Sequence, residues 1–148
     1  MSIDNWDDVL LPYPKITLSP RTHVFNEDAM VASKIAALRD IPLSSTLFKN
    51  LAEEIMMLLS SYAVSSLENL HTSILMLIPM LADGNDINHA IKHLKSIGYN
   101  KIVILCIVAA PQGVDLIQVH HPDVAMYIAS LDDGLNRKGD IIPGLSHS

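Results

Sequence analysis

A chain of 148 residues with 49% hydrophobic and 18% charged residues fits one globular α/β domain and is not the composition of a disordered chain. Its formal charge of −6, with Lys and Arg scattered, argues against a nucleic-acid partner. The acidic, proline-broken start MSIDNWDDVLLPYPK is no signal peptide, and the apolar runs Ile74–Ala82 and Ile102–Ala110 are too short to cross a bilayer, so the expectation is a cytoplasmic chain without a membrane partner.

In chain order, residues 1–22 carry Pro12, Pro14 and Pro20 and read as an extended arm, in which Trp6, Leu10, Leu11 and Tyr13 either lie across the domain or a partner or belong to a loosely ordered tail. Residues 23–148 form the domain. DAMVASKIAALRD predicts a short helix starting after Asp28 and ended by Pro42. A longer helix follows with Ser44 or Ser45 as N-cap, its apolar face built by Leu47, Leu51, Ile55, Leu58 and Leu59 and widened by Met56 and Met57. Ser73–Ile78 is a continuous apolar run of strand length, expected to be covered on both faces. PMLADGND is the turn after it. The next helix carries Ile87, Ala90, Ile91 and Leu94, with Asp86 as the front cap and Gly98 at the back. Lys101–Val108 is a second strand, Gly113–His121 a helix after Pro111, and Ala125–Ala129 a third strand. This alternation implies parallel βαβ units with right-handed crossovers, whose ligand rim lies at the carboxyl ends of the strands. PMLADGND, AAPQG and SLDDGLN then share one rim. The lone Cys106, inside an apolar run, reads as a buried inert thiol.

PMLADGND has the ingredients of a phosphate cradle: a strand end, Gly84 for close backbone approach, and a helix N-terminus with free amides. Its sequence resembles the ribose-phosphate loop of uracil phosphoribosyltransferases, written DPMLATGG(S/T). VAAPQGVDLIQVHHPDVAMYIASLDDGLNRKGDIIPGL resembles that family's closing segment, and THVFNEDAMVASKIAALRD and LFKNLAEEIMMLL resemble its N-terminal region. Together the patches cover roughly four fifths of the chain, beyond chance alternation. The resemblance implies a reduced type I phosphoribosyltransferase-like α/β fold, a parallel βαβ sheet with helices on both faces and several family strands missing. It also implies pyrimidine salvage, in which uracil and 5-phosphoribosyl diphosphate give UMP and diphosphate with Mg²⁺ assisting, in a homo-oligomer. It assigns Ile78, Pro79, Met80, Leu81, Ala82, Asp83, Gly84, Asn85 and Asp86 to the phosphoribosyl diphosphate loop, and Ile141, Ser146, His147 and Ser148 to the uracil end. No residue receives a catalytic role, and no set of residues is assigned to a metal.

The resemblance breaks in four places. Leu67–His71 runs almost directly into Ser73–Ile78, where the family inserts roughly 60 residues, far above ordinary connection lengths. That span holds further strands and the arginine-bearing loops that grip diphosphate, and Arg21, Arg39 and Arg137 occupy none of those contexts. Ile78 stands where an aspartate reaches the ribose hydroxyls, and an aliphatic side chain accepts no hydrogen bond. Asp83 replaces the loop threonine, Asn85 a glycine and Asp86 a serine or threonine. IIPGL, which the family continues as GDAGDR, reads on as SHS, and Asp140 replaces a tyrosine.

Other constellations have plainer readings. Asp86, His89 and His93 share a helix side that suits a divalent metal, or is a solvated face with Asp86 as cap. His120, His121, Pro122 and Asp123 form a helix-ending turn, and Asp132-Asp133 a solvated turn on the rim, with a nucleotide or metal contact as the alternative. No nucleophile–base pair is apparent. Three functions stay open: a non-catalytic, partner-binding relative, pairing with itself or a full-length paralogue; an active transferase binding a base or nucleotide; and a truncated product without a settled function.

Overall fold

The computed structural model describes residues 9–64 and 73–145. Its order is β1 (Thr22–Val24), α1 (Ala29–Arg39), α2 (Thr46–Val64), β2 (Ser73–Leu81), α3 (Asn85–Ser96), β3 (Lys101–Ala109), α4 (Pro111–His120), β4 (Ala125–Leu131), β5 (Gly134–Leu135) and β6 (Ile141–Ile142). The first four strands make a wholly parallel sheet in the order β1-β4-β3-β2, and β5 and β6 pair antiparallel beyond it.

Period-two alternation in β3 explains the two layers of helices. Val103, Leu105 and Ile107 belong to the apolar cluster formed with α1 and α2, whereas Ile102, Ile104 and Cys106 belong to the cluster formed with α3 and α4. A central strand covered on both faces needs an unbroken apolar run, and β3 is buried from Ile102 onward. The α/β fold with helices on both faces is therefore present.

Local chemistry sets most boundaries. The Asp28 carboxylate accepts the Val31 amide at 3.0 Å and caps α1, and the Ser45 hydroxyl accepts the Leu47 amide at 3.1 Å in front of α2. Gly98, at φ +107°, ends α3 in the left-handed conformation.

Several expectations need correction. β2 runs three residues further than expected, so Pro79, Met80 and Leu81 are strand and the turn shrinks to Ala82–Gly84. Proline is tolerated there because β2 is an edge strand and one side of its backbone makes no ladder. Nor is β2 covered on both faces: Leu75, Leu77 and Met80 are 39%, 59% and 45% exposed. Asp86 does not cap α3. Gly84 holds the cap position without a side-chain bond, and Asp86 sits in the first turn. α4 begins at Pro111, where a ring that lacks N–H suits the first turn, and β4 extends to Leu131. The short β1 was not expected; Thr22, His23 and Val24 pair in register with Met126, Tyr127 and Ile128.

The N-terminal segment is tied to the domain. The Leu11 amide donates to the Leu135 carbonyl at 2.7 Å, the Tyr13 hydroxyl to the Asp115 carboxylate at 3.1 Å, and the Ser19 amide to Gln118 Oε1 at 2.8 Å. Trp6 and the join between Leu67 and Ser73 lie outside the described residues.

Candidate functional site

Because β2, β3 and β4 are parallel and Leu81, Ala109 and Leu131 stand level in the register, the three following loops meet at one rim. The first two are locked back to back. A side chain on Gly113 would bring its Cβ within 2.5 Å of the Ala82 carbonyl oxygen, and one on Gly84 within 3.1 Å of the Gly113 carbonyl oxygen. Gly84 also takes φ +85°, a left-handed conformation that glycine adopts without strain.

This packing aims the N-terminus of α3 at the rim, where free amides would favour an anion. The loop's own carboxylate is already there. Asp83 Oδ1 accepts the Asn85 amide at 2.9 Å, and Asp83, Asn85 and Asp86 are all exposed on the rim. Ile78 is elsewhere. It is 7% exposed, pairs with Cys106 across the sheet, and joins the core beneath α3 and α4. Pro79 and Met80 are exposed along β2, Leu81 is fully buried, and Ala82 and buried Gly84 form the turn.

The third loop is organised by an ion pair that sequence reasoning missed. Arg39, at the end of α1, reaches Asp132 with Nη1 to Oδ2 at 2.9 Å and Nη2 to Oδ1 at 2.8 Å. Nη1 also donates to the Gly144 carbonyl at 2.6 Å, Nη2 to the Ser130 hydroxyl at 3.1 Å, and the Gly144 amide donates to Asp132 Oδ2 at 2.9 Å. Asp132 is 6% exposed, so it is not the solvated turn residue expected; its neighbour Asp133 is exposed. The bidentate fork suits a buried carboxylate. The signal was an arginine in the last turn of one helix and a carboxylate at a strand end, far apart in sequence.

The uracil-end assignment is only partly described. Ile141 is 6% exposed and pairs with Leu135 in the β5–β6 ribbon, while Ser146, His147 and Ser148 lie outside the described residues.

The His-His-Pro-Asp turn is structural, as its sequence suggested. His121 Nε2 lies 2.7 Å from Asn88 Oδ1, and the Lys95 ammonium lies 3.0 Å from His121 Nδ1 and 2.8 Å from the Asp123 carboxylate. An ammonium only donates, so Nδ1 accepts and Nε2 carries the proton that Asn88 receives. Burial, reinforced by the Lys95 charge, pushes the His121 pKa below its ordinary value. Cys106 is fully buried, and burial raises its thiol pKa far above the usual range, as an inert thiol requires.

Among the described residues, no group of three His, Cys, Asp or Glu side chains is arranged to hold a metal ion, Asp86, His89 and His93 included. Of the loop residues assigned by the resemblance, Ile78 offers no ligating atom, and Asp83 Oδ1 accepts the Asn85 amide.

The family model described as uracil phosphoribosyltransferase matches residues 68–148, more than half of the chain. The chain belongs to that family. The uracil phosphoribosyltransferase of Bacillus licheniformis is 54% identical over 67 residues, covering 45% of this chain and 32% of its own length. That of Shouchella clausii is 49% identical over 72 residues, covering 49% of this chain and 34% of its own length. The chain thus spans about a third of the length of these curated relatives. A solved structure, the AQ2163 protein from Aquifex aeolicus, superposes with a TM-score of 0.71 over 83% of this chain and 94% of its own, at 16% identity, and so shares the fold. Among the described residues the architecture is a four-stranded parallel sheet with helices on both faces. The matched span contains the whole first loop, including Ile78, Asp83, Asn85 and Asp86. The N-terminal patches that resemble the family lie before it. No helix among the described residues is long and apolar enough to cross a membrane.

Proposed function

We propose that this chain is a catalytically impaired, cytoplasmic relative of uracil phosphoribosyltransferase that works by binding a partner chain. The observation that carries the first half is the Asp83 carboxylate on the Asn85 amide, which puts a fixed negative charge where a phosphate would dock. Two unit charges ~4 Å apart at an effective dielectric of ~20 repel by about 4 kcal/mol, less with water screening this exposed loop. A charge-assisted amide bond returns only about 1.5–3 kcal/mol. Ile78 adds to the deficit, since its side chain is turned into the core and offers a ribose hydroxyl nothing. If a phosphoribosyl ligand does bind, its Mg²⁺ arrives on the phosphates instead of being held by this loop.

The second half is supported by the uncovered side of the fold. Among the described residues no strand pairs with the outer side of β2, and its sequence SILMLIPML holds no charged residue to discourage pairing. Beside it, Phe48, Ala52, Met56, Leu77, Pro79 and Ile107 line a groove of about 820 Å³ between α2 and the edge strand. Its occupant is an apolar segment of a second chain, either another copy or a full-length paralogue.

Two measurements test the two halves separately. Folded protein given uracil, 5-phosphoribosyl diphosphate and Mg²⁺ is expected to form no UMP above background; turnover would restore the active-transferase reading. Sedimentation of the protein alone, and with a full-length paralogue, is expected to show association that Leu77→Lys abolishes without changing the circular dichroism. A monomer that ignores the paralogue would sink the partner-binding half.

A further inference from the structure

At the end of the sheet opposite the rim, the four parallel strands begin around a cavity of about 580 Å³. That is within the range of about 300–1,000 Å³ common for small-molecule sites. Arg21, His23, Asn100, Lys101, Asp123 and Tyr127 are among the residues that line it.

Its charge is opposite to that of the molecule. The chain carries −6, yet the cavity brings together two cations, Arg21 and Lys101, both exposed and neither in an ion pair among the described residues. Among the described residues the one carboxylate in the lining, Asp123, is compensated from outside the cavity by the Lys95 ammonium at 2.8 Å. A concave surface of one sign concentrates counter-charge.

The cavity also has a flat, oriented wall. His23 and Tyr127 are register partners on β1 and β4, and their rings stack with centroids 4.6 Å apart and 23° between planes. Tyr127 is 5% exposed and fixed by the core, whereas His23 is exposed, so the imidazole is a positioned platform with an open side. Planar groups stack on such platforms. Asn100 adds a donor and an acceptor beside the cations.

We propose that this cavity binds a nucleoside monophosphate, with its phosphate between Arg21 and Lys101 and its base over His23. The site is separate from the rim, at the other end of the same strands, and its charge is independent of Asp83.

The test follows the histidine ring protons by NMR while AMP is added to the full chain, with His23→Gln assigning the His23 resonance. AMP is expected to shift that resonance with saturation, and Arg21→Gln/Lys101→Gln to weaken binding at least tenfold with the melting temperature unchanged. The fold is safe in that variant because Arg21 supports β4 through its backbone carbonyl, which accepts the Met126 amide at 2.9 Å. Inorganic phosphate is expected to bind at the same cations but more weakly and with a smaller His23 shift. An unmoved His23 resonance up to about 10 mM AMP, or an affinity unchanged in the double variant, would overturn the site. Equal affinities for phosphate and AMP would overturn the role of the ring.

Discussion

Arg39 and Asp132, 93 residues apart, form a two-pronged ion pair that joins the end of α1 to the end of β4. Through Gly144 the same pair fastens the segment beyond β6. Removing one member of a buried, hydrogen-bonded pair leaves a stranded charge and costs about 3–5 kcal/mol. Arg39→Met should therefore lower stability by about 3 kcal/mol, which for a domain of this size is roughly 6–12 °C in melting temperature. Arg39→Met combined with Asp132→Leu should cost less than the two single changes added together. Thermal melts of the three variants decide this, and strict additivity would mean that the pair is not a unit.

That pair also marks the limit of what could be read from the chain. The continuous run of β3 announced a buried central strand, because a strand covered on both faces favours apolar residues in succession. The same reasoning failed for β2, whose run is as apolar while Leu75 and Leu77 face outward; composition does not say whether a neighbouring layer exists. β1 is three residues held by pairing with Met126–Ile128, a long-range cause with no local signature. In the candidate site, Asp83 was legible as a charge in the loop that the resemblance assigns to phosphate, but its bond to the Asn85 amide depends on how the turn folds. Asp132 passed for a solvated turn residue because nothing near it in sequence discloses Arg39.

His121 gives a pH dependence with a definite sign. Burial and then the Lys95 charge place its folded-state pKa below the ordinary 6.5, so near and below that pH the unfolded chain binds a proton that the folded one resists. The contribution to stability is complete above about pH 6.5 and declines as pH falls toward the folded-state pKa. Denaturant midpoints from about pH 7.5 to about pH 5.5 should fall in the parent and fall less in His121→Gln. Equal slopes would remove His121 as the cause.

The contact between the first two loops predicts an intolerance to one methyl group. Gly113→Ala would put its Cβ against the Ala82 carbonyl and the Leu81 side chain, and the backbone oxygen has little room to retreat. Overpacking of this kind costs about 1–3 kcal/mol. Gly139→Ala is the informative comparison, since Gly139 has φ +83° but nothing within contact distance of an added Cβ. A loss at Gly113 no larger than at Gly139 would show that the loops can separate.

The loop charge itself can be removed. Asp83→Thr removes the carboxylate, frees the Asn85 amide, and returns a hydroxyl that can donate to phosphate. The repulsion removed is at most about 4 kcal/mol and screening reduces it, so a gain in affinity of roughly tenfold to a hundredfold for 5-phosphoribosyl diphosphate is expected. Titration calorimetry in the Arg21→Gln/Lys101→Gln background keeps the opposite cavity from contributing to the signal. UMP formation should stay absent, because Ile78 still leaves the ribose hydroxyls without an acceptor. No gain in binding would mean that the Asp83 carboxylate is not what keeps phosphate away, and the cause would then lie in the short sheet behind the loop.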